Sequence, residues 1–441
     1  YGVFRLATGR LAGAAGAALF AFSPLMPHVL FNVRDFSKVP FFLAVFLACG
    51  LLLRKPPNAR LLRRCAALAG LSIGVGLGFR RDLLVCLPPV AVVLLACRTA
   101  GAGTSARLGA VAVLLAVFSA VSFPVLTAFQ RHGTLGAHDL LMGMSTASDD
   151  GAGLVQASHE RLPAQHDFYV YMATAGHVLR NRPGLAEDKW KGRYYLDLVS
   201  AFPGDMVARA YSATAAILGG VMTYTALLNH LDIFLFAAVG AVMLMAARDA
   251  RTAAVFVFLL LYFCGITSLQ FHYRHVIHLS FLPFWSVAVL FSAVPRWWAS
   301  RKSREEAFAG GGEASPAARA LAFAAVLFLL LWAPLAAARL AQRATLAGMA
   351  DTYRRAEWVP APMEKVWRDG QVVYLPSAES ACVQAFPAGE GLSAALGFLM
   401  VEFDGPLPDS CATVLYENEK GEAHGSHRVA LCAGDCAGVF R

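Results

Sequence analysis

Three short polar stretches interrupt long apolar runs, and their residue types could bind an anion and move a proton. The first, Arg34-Asp35-Phe36-Ser37-Lys38-Val39-Pro40, sets an acid between two bases. The second is Arg80-Arg81-Asp82, and the third runs Gln270-Phe271-His272-Tyr273-Arg274-His275-Val276-Ile277-His278. Charge is costly beside hydrocarbon, so a cluster there marks function by default, the alternative being long side chains that snorkel to head groups. Arg34, Arg80, Arg81 and Arg274 offer forked donors for phosphate oxygens and Lys38 a point charge, with His272 and His275 as further donors. Asp35 is the one carboxylate of the first stretch, set between Arg34 and Lys38. His272, His275 and His278 recur every three residues, a spacing that would align them on one helical face. With no acidic partner nearby, anion binding or interfacial hydrogen bonding is preferred to a metal centre.

The elements that would position these residues are membrane spans. Hydrophobic residues make up 57% of the 441 and charged ones 15%, too apolar for a soluble domain. The net charge of +9 comes from bases between apolar runs and is not a nucleic-acid signature. Apolar segments at about 11–31, 39–53, 66–79, 83–97, 109–129, 231–247, 252–270, 276–294 and 319–338 predict nine spans. Gly70, Gly74 and Gly78, in steps of four, predict a close helix–helix approach. Counted through nine spans, the clusters around Arg5, Arg54, Arg98, Arg107, Arg248, Arg251 and Arg301 share one side, which is then cytoplasmic. The three polar stretches fall on the other side. So does the long loop 130–208, whose aromatic runs predict order and whose Asp167 could reach a site. Residues 209–230 are expected to lie as an amphipathic helix in the outer interface, because a further span there would reverse everything downstream.

Past residue 342 the pattern changes. Runs at Val366–Tyr374, Leu396–Phe403, Ala412–Tyr416 and His427–Leu431, separated by turn residues, predict a small β-rich extracytoplasmic domain over 343–441. Its four cysteines, Cys382, Cys411, Cys432 and Cys436, favour disulfides over zinc and so an oxidising compartment. Cys49, Cys65, Cys86, Cys97 and Cys264 lie in or beside apolar runs and are expected to be inert packing residues. The chain starts at Tyr1 rather than at a Met, and is expected to be a piece of a longer protein whose N-terminus is missing. The fold class expected is mainly α: a polytopic transmembrane helix bundle over 1–342, with the β-rich domain after it.

Several stretches resemble the GT-C superfamily of polytopic glycosyltransferases, which includes protein O-mannosyltransferases and lipid A aminoarabinose transferases. Ser23-Pro24 leading to Arg34–Phe41, Gly70–Phe79 followed by Arg80-Arg81-Asp82 and Pro88-Pro89, and Tyr273-Arg274-His275 at a late span carry the likeness. The resemblance implies transfer of a sugar from a polyprenyl-phosphate donor to a protein, lipid or glycan acceptor on the outer face. It implies that Asp35 is the base, or the second carboxylate beside an acid in an earlier outer loop. The partners expected are that donor, its acceptor and membrane lipids, with no nucleic acid; no cofactor is specified, and a divalent metal stays open. The composition points to a bacterial plasma membrane with the site facing the periplasm. A lipid-linked glycan ligase or polymerase is the related alternative. A transporter would predict mid-membrane charges and inverted repeats, and a scaffold would predict that Asp35 and Arg80 are dispensable.

Overall fold

A computed structural model describes residues 1–23, 26–27, 33–54, 56–97, 103–132, 187–219, 231–266, 276–293 and 315–355, and the backbone of short strands between 363 and 440. The described residues are mainly helical. Contacts group the chain into two compact units, Tyr1–Glu160 with Asp205–Ala337, and Arg161–Gly204 with Ala338–Arg441.

In the first unit α1 (Gly2–Ala7) and α2 (Arg10–Ala21) precede a one-turn helix, α3 (Val33–Phe36), and then α4 (Val39–Arg54). Phe42, Val45, Cys49 and Leu52 of α4 are buried at helical spacing, the stripe of a core-facing helix. Next comes α5 (Ala59–Leu77), started by Asn58, whose side chain accepts from the Leu61 N–H at 2.9 Å. Arg60, Arg63 and Arg64, expected in a loop, instead stand exposed on the first turns of α5. A 3-10 turn, Arg81–Cys86, leads into α6 (Leu87–Ala96). The run 83–97 is therefore not one uniform helix. Pro88 and Pro89 lack the N–H groups that would continue α-type bonding back into the preceding turn. Then follows α7 (Thr104–His132).

Small residues set the spacing of α5 against α7. A Cβ on Gly70 would sit 2.7 Å from the Leu114 carbonyl oxygen, and one on Gly74 would sit 2.9 Å from Val121 Cβ. The third glycine of the series, Gly78, has no inter-helix neighbour closer than Val125 at 4.0 Å. Gly76 does more than expected: its Cβ would collide with Leu83 and lie 2.9 Å from Phe41 Cγ, so the 3-10 turn and α4 both close onto it. Gly70→Ala is expected to cost about 1–3 kcal/mol of stability, because backbone rather than a movable side chain blocks the methyl. Gly109→Ala, on the same helix pair but in open space, is expected to be neutral or to gain up to about 1 kcal/mol. Thermal unfolding of the two variants side by side checks both signs.

Further along, α8 (Glu187–Ala201) belongs to the second unit, and α9 runs Pro203–Leu218. In the segment expected to lie in the interface, α9 begins earlier, at Pro203, and buries residues on most of its circumference, Arg209 and Ser212 included. Residues 220–230 are outside the described ones. The first unit continues with α10 (Leu231–Arg248), α11 (Ala250–Ile266), a 3-10 turn (Ile277–Leu279) and a helix over 282–293, α12. Finally α13 (Pro316–Arg355) is one continuous helix of 40 residues, so position 342 lies inside it.

Among the described residues two helices are long and apolar enough to cross a membrane: Thr104–Phe129 and Pro316–Thr352, the latter with none of its most apolar window buried in the protein. The others are shorter. At ~1.5 Å per residue the 16 residues of α4 reach ~24 Å and the 10 of α6 ~15 Å, against ~30 Å of hydrocarbon. The five cysteines of this unit are buried and unbridged, as packing residues are.

The strands pair two by two. β1 (Met363–Arg368) runs antiparallel to β2 (Gln371–Pro376), β3 (Leu399–Met400) to β6 (Val439–Phe440), and β4 (Ser410–Glu417) to β5 (Ala423–Leu431). Val366–Tyr374 is thus not a single strand: Arg368 ends β1 and pairs with Gln371, the first residue of β2. Among the described residues these are three two-stranded ladders. Cys382, Cys432 and Cys436 lie outside the described residues, and Cys411 is described in backbone only.

Candidate functional site

The first two polar turns converge. Asp35 lies in α3, and Lys38 immediately precedes α4, where Pro40 in the first turn costs no hydrogen bond. Across from them α5 ends in Gly76-Leu77-Gly78, the Phe79 and Arg80 N–H groups both donating to the Gly76 carbonyl at 2.9 Å. Arg80 is extended and Asp82 sits in the first turn of the 3-10 helix. The close approach over Gly76 brings the turns together.

The result is a compact quartet of charges. Lys38 Nζ donates to Asp82 Oδ2 at 2.7 Å. Arg80 Nη2 spans both carboxylates, 3.3 Å from Asp82 Oδ2 and 3.2 Å from Asp35 Oδ1. Lys38 is 1% exposed and Asp35 6%, whereas the Asp82 side chain keeps 26% of its surface. Two acids and two bases balance formally, which is what a site this buried requires. Burial pulls the Lys38 ammonium below its usual range, and Asp82 opposes that shift. Burial alone would raise the Asp82 carboxyl, but Lys38 and then Arg80 outweigh it and hold it well below the usual carboxylate range.

Asp82 is therefore ionised at any ordinary pH, a positioning anion rather than a proton acceptor. Because its folded-state value is depressed, its pairing stabilises the protein above the unfolded-state value of ~3.9 and is lost as pH falls through and below it. The unfolding midpoint is expected to drop between roughly pH 5 and 3, and to drop less steeply in Asp82→Asn. Midpoints measured over that range for both proteins check the sign.

Part of the third turn also arrives here. His278, buried in the Ile277–Leu279 turn, stacks on Phe42 with ring centroids 3.8 Å apart and planes at 27°. Ile277 joins Val39, with Phe36, Leu43 and Met26 packed against the pair. Arg81 places its guanidinium carbon 5.2 Å from the centroid of Phe129 on α7. Arg34 is described in backbone only, and His272, Arg274, His275 and Asp167 lie outside the described residues. Of the three-histidine series only His278 is described, on a 3-10 turn rather than an α-helical face. No cluster of three or more metal-ligating side chains occurs among the described residues.

Two features went unread in the sequence. Asp82 reads in the sequence only as the end of a basic turn, although an acid directly after two arginines is the signal that marks it. Phe42 reads as one more apolar residue of a span, and nothing in its spacing announces a stacked histidine. Lys38 and Arg80, expected as phosphate donors, already face carboxylates, so an anion would share them rather than find them vacant. No protein-family model, curated protein or solved structure matches this chain.

Proposed function

We propose that the protein is a membrane glycosyltransferase that moves a sugar from a polyprenyl-phosphate donor to an acceptor on the extracytoplasmic face. The observation that carries this reading is the quartet: two carboxylates and two cations gathered from separate turns at the ends of apolar helices. The polytopic bundle, the β-rich outer domain and the plasma-membrane location belong to the same proposal, supported by the apolar composition and by two helices of membrane-crossing length.

Asp35 takes the acceptor's proton as the acceptor oxygen attacks the anomeric carbon. The bond from that carbon to the phosphate oxygen breaks, and its electron pair leaves on the lipid phosphate. No acid is needed for such a leaving group, but positive charge must stabilise it. Arg80 and Lys38 supply part of that field and fix the two carboxylates, while Arg81, Arg34 and Arg274 are assigned to the donor's phosphate. His272, His275 and Asp167 are assigned to the substrate side of the same site. Asp82, kept ionised by its partners, holds Lys38 and Arg80 in place.

The test is sugar transfer from a labelled polyprenyl-phosphate sugar by the purified full-length chain, wild type against Asp35→Asn. Turnover by wild type and its loss in the variant, with donor binding retained, supports the reading. Equal turnover in both removes Asp35 from the chemistry. Absence of transfer by wild type with every donor tried favours a quartet that only latches helices together.

A further inference from the structure

We propose that the cleft between α1, α4, α11 and α12 takes one acyl chain of an anionic phospholipid, whose head-group phosphate is held by Arg54 at its mouth. The cleft encloses about 190 Å³, more than the ~150 Å³ of an apolar cavity that takes benzene. Its walls include Phe46, Leu53, Leu260, Phe263 and Trp285. Phe46, Gly50 and Leu53 recur along one stripe of α4, and Leu6 fills the place where a Cβ on Gly50 would be. Such walls offer water no partners, but they suit a flexible methylene chain.

Charge enters the lining at one end only, through Arg54, beside the hydroxyl of Thr252. Arg54 is exposed and has no carboxylate partner among the described residues. The acid of this rim, Asp249, is already engaged: it accepts from Thr252 Oγ1 at 2.8 Å and from the Arg251 N–H at 3.2 Å. Arg248 and Arg251 stand exposed on the connection that leads into Thr252, outside the lining itself, so bases outnumber acids on the chain next to Arg54's end of the cleft. A basic mouth over an apolar slot between helices is the pattern that receives an anionic lipid head group. Lys38 immediately precedes the 16 residues of α4 and Arg54 ends them, so the Arg54 end of the cleft lies ~24 Å along the helix from Lys38. It rests on the membrane reading of the helices and not on sugar transfer.

The experiment uses the full-length chain in detergent micelles with phosphatidylglycerol carrying a photoactivatable diazirine in one acyl chain. Phosphatidylcholine with the same chain is the comparison, and adducts are mapped by mass spectrometry. Adducts are expected on the Phe46–Leu53 and Leu259–Phe263 segments, several-fold more with phosphatidylglycerol. Arg54→Gln is expected to cut the phosphatidylglycerol adduct ~10-fold, the loss of one charge-assisted contact, with Arg54→Lys in between. Because Arg54 is exposed, the lipid-free unfolding midpoint of both variants should match wild type. Equal labelling by the two lipids, or labelling spread along Thr104–Phe129 without enrichment in the cleft, overturns the proposal.

Discussion

Asp82→Asn is expected to destabilise the protein by about 3 kcal/mol, the low end of what breaking a buried ion pair costs, since Asp82 keeps some solvent. The reason lies in what remains. Lys38 is 1% exposed and would face a neutral amide where it now has a carboxylate at 2.7 Å. Arg80 would keep only Asp35, and the quartet would carry an uncompensated positive charge. Removing both partners should undo most of the damage. Lys38→Met with Asp82→Leu leaves Arg80 and Asp35 balanced and replaces the pair by apolar groups of similar size, a change that is often neutral. Thermal unfolding in detergent of wild type, the single variant and the double variant decides the matter. A double variant less stable than Asp82→Asn would show that the pair does more than neutralise charge.

The second large effect is on turnover. Asp35→Asn is expected to lower sugar transfer by ~10²–10⁴-fold, the contribution of a positioned general base. The substitution keeps shape and leaves Arg80 paired with Asp82 at 3.3 Å, so donor binding should change little. Asp82→Asn should act differently: most of its loss follows the folded fraction, and the loss per folded molecule, from loosened Lys38 and Arg80, stays well below that of Asp35→Asn. Turnover per folded molecule, measured for both variants at one temperature, separates the roles. Asp35→Asn with wild-type turnover per folded molecule would place the base elsewhere in the chain.

Reading the sequence went furthest where a single local signal sufficed. Long apolar runs announced α7, α10 and α11, because helices this hydrophobic bury or meet lipid whatever surrounds them. Gly70 and Gly74 announced a close helix contact, since a repeated missing side chain has few other uses. Charges set between apolar runs marked Asp35, Lys38 and Arg80, since a charge taken out of water is costly unless paired, and the three do meet in the quartet. The sequence was silent on pairing. That Lys38 chooses Asp82, 44 residues away, and that Arg80 spans two carboxylates depend on Gly76 letting α4 and the 3-10 turn close on α5. Those distances come from how helices pack, and no residue spacing along one strand of chain encodes them. Composition and charge placement determined which residues would be expensive to bury; tertiary packing decided which of them neutralise one another, because ion pairing falls off over a few ångströms and only the folded backbone sets separations that fine.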